Sequence, residues 1–229
     1  MSTKVLSLGG SIVAPEYPDT AFISKFVSMI KDFLSKNPDD RLILVVGGGG
    51  PARIYQNALR EITGGKDGGD AADWIGIMAT RLNAQLVKAA FGDLCGEAVV
   101  TDPTAADDFS GRILLAAGWK PGFSTDNDAV LLAQRFGADT VINLSNIERV
   151  CTDDPRKNPD AKPLDEISWP EFRRMVGDEW IPGKNCPFDP IASKKAESMG
   201  LTVICAGGKD CENTRTILEG RPYTGTTIK

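Results

Sequence analysis

Short runs of apolar residues alternate along the chain with longer segments in which apolar residues recur at helical spacing. The short runs predict strands at residues 5–8, 42–46, 97–100, 113–116, 140–143 and 201–206, and the closing GTTIK predicts an edge strand. The longer segments predict helices at residues 21–34, 51–62, 72–91, 126–136, 169–176, 190–199 and 212–218. We expect Asp19 or Thr20 to cap the first helix and Pro51 to occupy the first position of the second.

This alternation predicts an α/β fold in which a mostly parallel central sheet lies between two layers of helices. The sequence shows no internal repeat and no low-complexity linker, so residues 1–229 are expected to form a single domain. Ligands of such sheets bind beyond the carboxyl ends of the strands. The turns that follow the predicted strands are therefore the first places to look for a site.

The composition excludes several kinds of chemistry. The chain has no histidine, which rules out Ser–His and Cys–His nucleophile pairs and histidine-bound zinc. Phosphoryl transfer remains open, because it depends mainly on positioning and charge stabilisation. The net charge of -5 gives no basic footprint for a nucleic acid polymer. Five cysteines without a C-x-x-C pair, and no apolar run long enough for a bilayer, favour a cytoplasmic protein that binds no membrane.

Glycine-rich turns directly follow three of the predicted strands: Gly9-Gly10-Ser11, the run from Gly47 to Gly50, and AGGK at residues 206–209. Glycine lets a ligand approach the backbone closely, and the exposed N–H groups can point at phosphate oxygens. Three such turns at one edge of a sheet predict a site for a polyanion. Tight turns with no ligand are the alternative for any one of them.

Neither common nucleotide motif explains the second glycine run. A Walker A loop is absent, and although Gly47-x-Gly49-x-x-Ala52 satisfies G-x-G-x-x-A, the acidic residues between positions 67 and 73 follow no predicted strand. A phosphate held by the glycines and by the start of the next helix fits better. Arg53 in the first turn of that helix would supply charge, and a solvated arginine is the alternative.

Seven motifs occur in order along the chain: GGS at 9–11, VVGGGGPAR at 45–53, DWIGIMATRLNA at 73–84, PGFSTDNDA at 121–129, INLSNIERVCTDDPRKNPDAKP at 142–163, DPIASKKAESMGL at 189–201 and GTTI at 225–228. Their order and spacing resemble the amino acid kinase superfamily, and within it the archaeal-type UMP kinases. The resemblance covers nearly the whole chain.

The resemblance implies a kinase that uses ATP and Mg²⁺ to phosphorylate UMP to UDP. It implies that residues 1–140 bind the acceptor and that residues 141–229 bind ATP. It also implies a homo-oligomer, possibly a hexamer.

The matched motifs assign six residues to the acceptor: Gly48, Gly49, Arg53, Asp73, Ser124 and Thr125. The glycines and the arginine would hold the UMP phosphate. Asp73 would accept hydrogen bonds from the ribose hydroxyls, since a carboxylate has two acceptor oxygens. A simple helix cap is the alternative for Asp73.

Seven further residues are assigned to the nucleotide donor: Gly9, Gly10, Ser11, Asn146, Cys151, Asp154 and Pro155. Two more are assigned to catalysis. Asp126 would organise the reaction centre through Mg²⁺ or a lysine, with an N-cap as the alternative. Lys184 would stabilise charge in the transition state, with an ordinary surface lysine as the alternative.

Four positions depart from the pattern of the family. Ser7 stands where many members have lysine, Arg149 and Cys151 replace a glycine and an aromatic residue, and Trp119 stands where a threonine is common. These departures keep two other functions open. One is a kinase of this fold with a different phosphate or carboxylate acceptor, and the other is a non-catalytic nucleotide- or oxoanion-binding protein like the molybdenum storage proteins.

Overall fold

A computed structural model describes residues 2–66, 69–179 and 186–229. The strands in these ranges are β1 (Ser2–Leu8), β2 (Asp40–Val46), β3 (Ile113–Ala116), β4 (Thr140–Ser145), β5 (Glu166–Ile167), β6 (Thr202–Gly207) and β7 (Thr226–Ile228). The helices are α1 (Gly10–Val13), α2 (Thr20–Lys36), α3 (Gly49–Ile62), α4 (Asp70–Phe91), α5 (Thr125–Phe136), α6 (Trp169–Val176), α7 (Pro190–Ser198) and α8 (Cys211–Leu218), with a short 3-10 helix at Gly92–Leu94.

The strands form one seven-stranded sheet in the order β3-β2-β1-β4-β6-β7-β5. All neighbouring pairs are parallel except β6 and β7. In the centre, Leu6 lies opposite Leu44 on one side and Ile142 on the other. The carboxyl ends of β1, β2, β3 and β4 therefore meet at one edge of the sheet, where ligands of such folds bind.

Alternate residues of the strands enter two separate cores, as the period of two in a strand requires. Leu6 and its neighbours on one face pack with α2, α4 and α8. Val5 and its neighbours on the opposite face pack with α5, α6 and α7. The predicted three-layer sandwich is confirmed. No helix among the described residues is both long and apolar enough to cross a bilayer.

Most predicted elements are present with shifted ends, but the strand predicted at 97–100 is wrong. The chain meets β3 there only at an isolated bridge between Val100 and Ala116. One oxygen of Glu97 accepts the N–H and the hydroxyl of Ser110, both at 2.8 Å. Only two valines in this stretch favour a strand, and local polar bonds outweigh them.

The end of the chain differs in a similar way. The strand predicted from GTTIK is present as β7, but it lies between β6 and β5 and is not at the edge. The two-residue strand β5 covers it and is too short to leave a hydrophobic pattern.

Two helix starts tested the expected capping. Asp19 caps α2, and its carboxylate accepts the N–H of Phe22 at 2.9 Å. Helix α3 begins at Gly49, so Pro51 occupies the third position and the prediction of the first position is wrong. Proline is still tolerated there, because first-turn N–H groups have no partner within the helix.

Candidate active site

A cleft of about 340 Å³ opens at the carboxyl ends of β2 and β3. Its walls are the glycine run with α3, the first half of α4, and the loop from β3 into α5. The lining residues are Gly48, Gly49, Ala52, Arg53, Gln56, Asp73, Gly76, Ile77, Thr80, Gly118, Gly122, Phe123, Ser124 and Thr125. All six residues assigned to the acceptor are among them.

The glycine run that forms one wall is packed tightly against the chain behind it. A Cβ atom on Gly49 would lie 2.2 Å from the carbonyl oxygen of Ala14, and Gly49 has a φ of +65°. A Cβ on Gly50 would lie 2.4 Å from the carbonyl oxygen of Pro15. Any side chain at these two positions would collide with backbone. The structure therefore requires glycine there for packing as well as for access to the cleft.

Gly10 and Gly47 allow the first two glycine turns to pack against each other. A Cβ on Gly10 would lie 2.0 Å from the backbone nitrogen of Gly49, and one on Gly47 would lie 2.4 Å from that of Gly10. The turns after β1 and β2 are thus in direct contact. This contact brings the residues assigned to the donor phosphates, Gly9, Gly10 and Ser11, beside the wall of the cleft.

Arg53 and Asp73 face the cleft from two different helices. Arg53, on α3, is exposed and uses one N–H to bond the carbonyl oxygen of Pro15 at 2.9 Å. A guanidinium has five N–H donors, so it keeps donors for an anion. One oxygen of Asp73, on α4, accepts the N–H of Gly122 at 2.9 Å. Asp73 does not cap α4, whose N-cap is Gly69.

The loop from β3 into α5 forms the opposite wall. Ser124 is the N-cap of α5 and accepts the N–H of Asn127 at 3.2 Å. Thr125 is the first residue of the helix. The N-cap alternative for Asp126 is therefore wrong, because Ser124 already fills that position and Asp126 follows in the first turn.

Asp126 lies between the end of β1 and the start of α7. Ser7, at the end of β1, donates its hydroxyl to one carboxylate oxygen at 3.0 Å, and the backbone N–H of Asp189 reaches the other at 3.2 Å. Burial raises the pKa of Asp126 to about 6, and the charge of Asp189 adds to the effect. The position at which many family members have lysine thus holds a neutral donor to this carboxylate.

Asp128 is a second carboxyl group in the same turn, and no motif or spacing in the sequence singles it out. It is completely buried, and one oxygen accepts the N–H of Trp119 at 3.2 Å. Its other oxygen has no hydrogen-bond partner among the described residues. Burial raises the pKa of Asp128 to about 7, with smaller contributions from the charges of Asp126 and Asp102.

The departure at Trp119 affects the outer side of this wall. Its ring packs on Phe123, with the ring centres 4.8 Å apart, and the ammonium group of Lys120 lies 3.8 Å from the centre of the indole. Phe123 lines the cleft, whereas Trp119 is not among the lining residues. Trp119 therefore supports a cleft residue from behind and does not fill the cleft.

The remaining residues assigned to the donor lie on the loop after β4. Asn146 and Pro155 are exposed, and Cys151 forms an isolated bridge with Pro163. Asp154 pairs with Arg156 at 3.0 Å. None of the residues assigned on this loop lines the cleft. Lys184 lies outside the described residues.

Two further cations near the site are already paired. Arg149 forms an ion pair with Asp165 and does not stand free in this loop. Lys209, in the third glycine turn, pairs with Asp19 and lies 4.7 Å from the ring centre of Phe22. Neither ion pair is fully buried, so solvent screens both contacts.

Comparison with known proteins identifies the family. A model of the amino acid kinase family matches residues 2–207. The uridylate kinase of Methanospirillum hungatei is 37% identical, with the match covering 100% of this chain and 95% of that protein. The uridylate kinase of Pyrococcus abyssi is 33% identical, with 98% of each covered.

Solved structures give the same result. The crystal structure of uridylate kinase from Archaeoglobus fulgidus superposes with a TM-score of 0.83 at 31% identity, covering 100% of both chains. The UMP kinase of Bacillus anthracis, at 18% identity and a TM-score of 0.76, shares the fold. The matches to these relatives cover the whole sheet. The chain belongs to the amino acid kinase family.

Proposed function

We propose that this chain is a nucleoside monophosphate kinase that transfers the γ-phosphoryl group of ATP to UMP, forming UDP and ADP. One observation carries the proposal. The cleft combines a glycine turn at a helix start, an exposed arginine and a carboxylate on the facing helix, which are groups suited to a phosphate and a ribose. The uridylate kinases among its relatives support UMP as the acceptor.

Each acceptor residue has a defined task in this proposal. The N–H groups at the start of α3 and the guanidinium of Arg53 bind the phosphate of UMP. Asp73 keeps one oxygen on Gly122 and offers the other to the ribose hydroxyls. Ser124 and Thr125 lie along the wall that leads to Asp126. The transferred phosphoryl group then passes between this wall and the turn Gly9-Gly10-Ser11.

Mg²⁺ enters this scheme with the nucleotide. The described residues contain no group of three or more carboxylate or cysteine side chains that could hold a metal ion alone. Such a set is not required, because Mg²⁺ in kinase sites is bound by one or two carboxylates together with substrate phosphates and water. When bound, the ion neutralises charge on the transferred phosphoryl group.

The deciding experiment is an acceptor panel. Purified protein is incubated with ATP and Mg²⁺ and with UMP, CMP, AMP, GMP or small carboxylate and phosphate acceptors, and products are separated by chromatography. We expect UDP to form fastest. Turnover of a different acceptor without UDP would refute the proposed acceptor, and tight nucleotide binding without any turnover would favour a binding or storage protein.

We also propose that the chain forms a homo-oligomer in the cytoplasm. The resemblance to the family implies the oligomer. Four apolar side chains follow one another at a spacing of four residues on the outer face of α4, and they are between 41% and 70% exposed: Trp74, Met78, Leu82 and Leu86. A row of this kind is typical of an interface with another copy. Light scattering after size-exclusion chromatography tests this, and a monomer of the wild type would refute it.

A further inference from the structure

One turn of α4 contacts the backbone of both walls of the acceptor cleft. Asn83 is buried, and its side-chain NH₂ group donates to the carbonyl oxygens of Gly47 at 2.9 Å and of Gly48 at 3.0 Å. A primary amide has two N–H donors. Both are used on two successive carbonyl groups of the glycine run.

The two carbonyl groups determine where the neighbouring N–H groups point. In a trans peptide, the C=O and the N–H of the same peptide plane point in opposite directions. The carbonyl of Gly47 shares its plane with the N–H of Gly48, and the carbonyl of Gly48 shares its plane with the N–H of Gly49. Because Asn83 holds both carbonyl groups, both N–H groups point away from it.

These N–H groups have no competing partner within the helix. Gly48 is the N-cap of α3 and Gly49 its first residue, and the first N–H groups of a helix have no acceptor four residues earlier in that helix. Both residues line the cleft. Glycine has no side chain to restrict the two peptide planes, so the hydrogen bonds from Asn83 add to the packing that fixes their orientation.

The same turn of α4 fixes the opposite wall. The hydroxyl of Thr80 accepts the N–H of Gly118 at 2.8 Å while donating to the carbonyl of Ile77 at 2.6 Å. The guanidinium of Arg81 donates to the carbonyl oxygens of Gly118 at 3.3 Å and Trp119 at 3.0 Å. The distance between the two walls is thereby set by one rigid helical turn.

We propose that Asn83 is a positioning residue for the acceptor phosphate: by binding the carbonyl groups of Gly47 and Gly48, it directs two backbone N–H groups into the cleft. Asn83 itself touches no reacting atom. The inference rests on the proposed function, because it takes the ligand of these N–H groups to be the phosphate of the acceptor.

The test compares Asn83→Ala with the wild type. We expect the KM for UMP to rise by about tenfold or more, while the KM for ATP changes by less than about twofold. In the protein without nucleotides, hydrogen exchange of the peptide that spans residues 42–53 should become about tenfold faster. Asn83→Asp is the second variant, since a side chain of the same shape loses both N–H donors.

Asn213→Ala is the matched control. Asn213 also holds a loop to a helix, because its side chain donates to the carbonyl of Thr224 at 2.7 Å and accepts the N–H of the same residue at 2.8 Å. It lies on α8, away from the cleft. A control variant with reduced thermal stability but unchanged KM values would show that loss of a structural amide alone does not weaken acceptor binding.

The outcomes separate this inference from the proposed function. A wild type that makes no UDP refutes UMP as the acceptor, and the comparison is then made with the acceptor that the panel identifies. An unchanged acceptor KM in both Asn83 variants, or unchanged exchange of residues 42–53, overturns the role of Asn83 whichever acceptor is used. Equal increases in the KM values of acceptor and ATP also overturn it.

Discussion

The acceptor cleft and the donor loop are built in different ways. The cleft takes its residues from α3, α4 and the start of α5, and side chains of α4 hold the backbone on both sides of it. The loop from residue 146 to 163 instead carries charged side chains that pair with nearby partners, as Asp154 does with Arg156. The proposed acceptor site is therefore preformed, whereas charged groups of the proposed donor loop are paired with one another.

This difference has a consequence for mutagenesis. Substitutions in a preformed site remove contacts that are already in place, and their effects fall on one substrate. Substitutions of paired surface charges remove interactions that contribute little, because solvent screens them. We call Asp126 and its contacts with Ser7 and Asp189 the junction. We expect the effects of mutation to be largest at the junction, smaller in the cleft and smallest on the donor loop.

The largest effect is expected at the junction. Asp126→Asn keeps the shape of the side chain and an oxygen for the hydroxyl of Ser7, but it removes the negative charge. We expect kcat to fall by about 100-fold or more, with both KM values nearly unchanged. Steady-state kinetics with each substrate varied in turn measures this. Asp139→Asn, at an exposed carboxylate before β4, is the control. A change confined to one KM would show that Asp126 binds that substrate and does not act in the reaction.

The next effect is expected in the acceptor cleft. Arg53→Ala should raise the KM for UMP by about 10- to 100-fold, since a charge-assisted contact contributes about 1.5–3 kcal/mol. The KM for ATP should stay nearly unchanged. Arg60→Ala is the matched control, because Arg60 is exposed on the same helix and bonds Asn57. Unchanged UMP kinetics in Arg53→Ala would remove this arginine from the site.

A moderate effect on stability is expected behind the cleft wall. Burial raises the pKa of Asp128 to about 7, above its value of about 4 in the unfolded chain. The folded protein therefore binds the proton more tightly, and stability falls as the pH rises from about 4 to about 7. Asp128→Asn keeps an acceptor for the N–H of Trp119 and removes this loss, which is on the order of a few kcal/mol.

Thermal unfolding at two pH values measures this effect. The Tm of Asp128→Asn relative to the wild type should be several degrees higher at pH 8 than at pH 5. Asp160→Asn, at an exposed carboxylate of the donor loop, should give the same small difference at both. A pH-independent difference for Asp128→Asn would mean that this carboxyl group is ionised normally in the folded protein.

The sequence predicted the sheet and the lining of the cleft more completely than the chemistry behind them. Hydrophobic periodicity is strong in the central strands and the long helices, and the six residues assigned to the acceptor lie in motifs of the family. Asp128 and Asp189 were missed, and Ser7 was noted only as a replacement for lysine, because the roles of these residues depend on packing between distant segments. A buried carboxyl group leaves no signal in a local pattern of apolar and polar residues.

The glycine run shows a second limit of the sequence, because glycine can be required for more than one reason. Its composition indicated an open space for a phosphate, but the structure adds a second requirement, since side chains at Gly49 and Gly50 would collide with the backbone of Ala14 and Pro15. A ligand site and a packing contact both select glycine, so the sequence alone cannot separate them. Their coexistence here follows from the direct contact between the turns after β1 and β2.

The smallest effect is expected on the donor loop, at Arg149. This arginine replaces a glycine of the family pattern. Its guanidinium pairs with Asp165, which is 85% exposed, so this contact contributes little. Arg149 is not among the residues that line the cleft. We expect Arg149→Gly to change the KM for ATP by less than about twofold and the KM for UMP not at all. Asp165→Asn, which removes the partner and leaves the arginine, is the matched comparison. A markedly lower KM for ATP in Arg149→Gly alone would show that the arginine obstructs the donor, and that the donor loop is less independent of its charged pairs than the structure indicates.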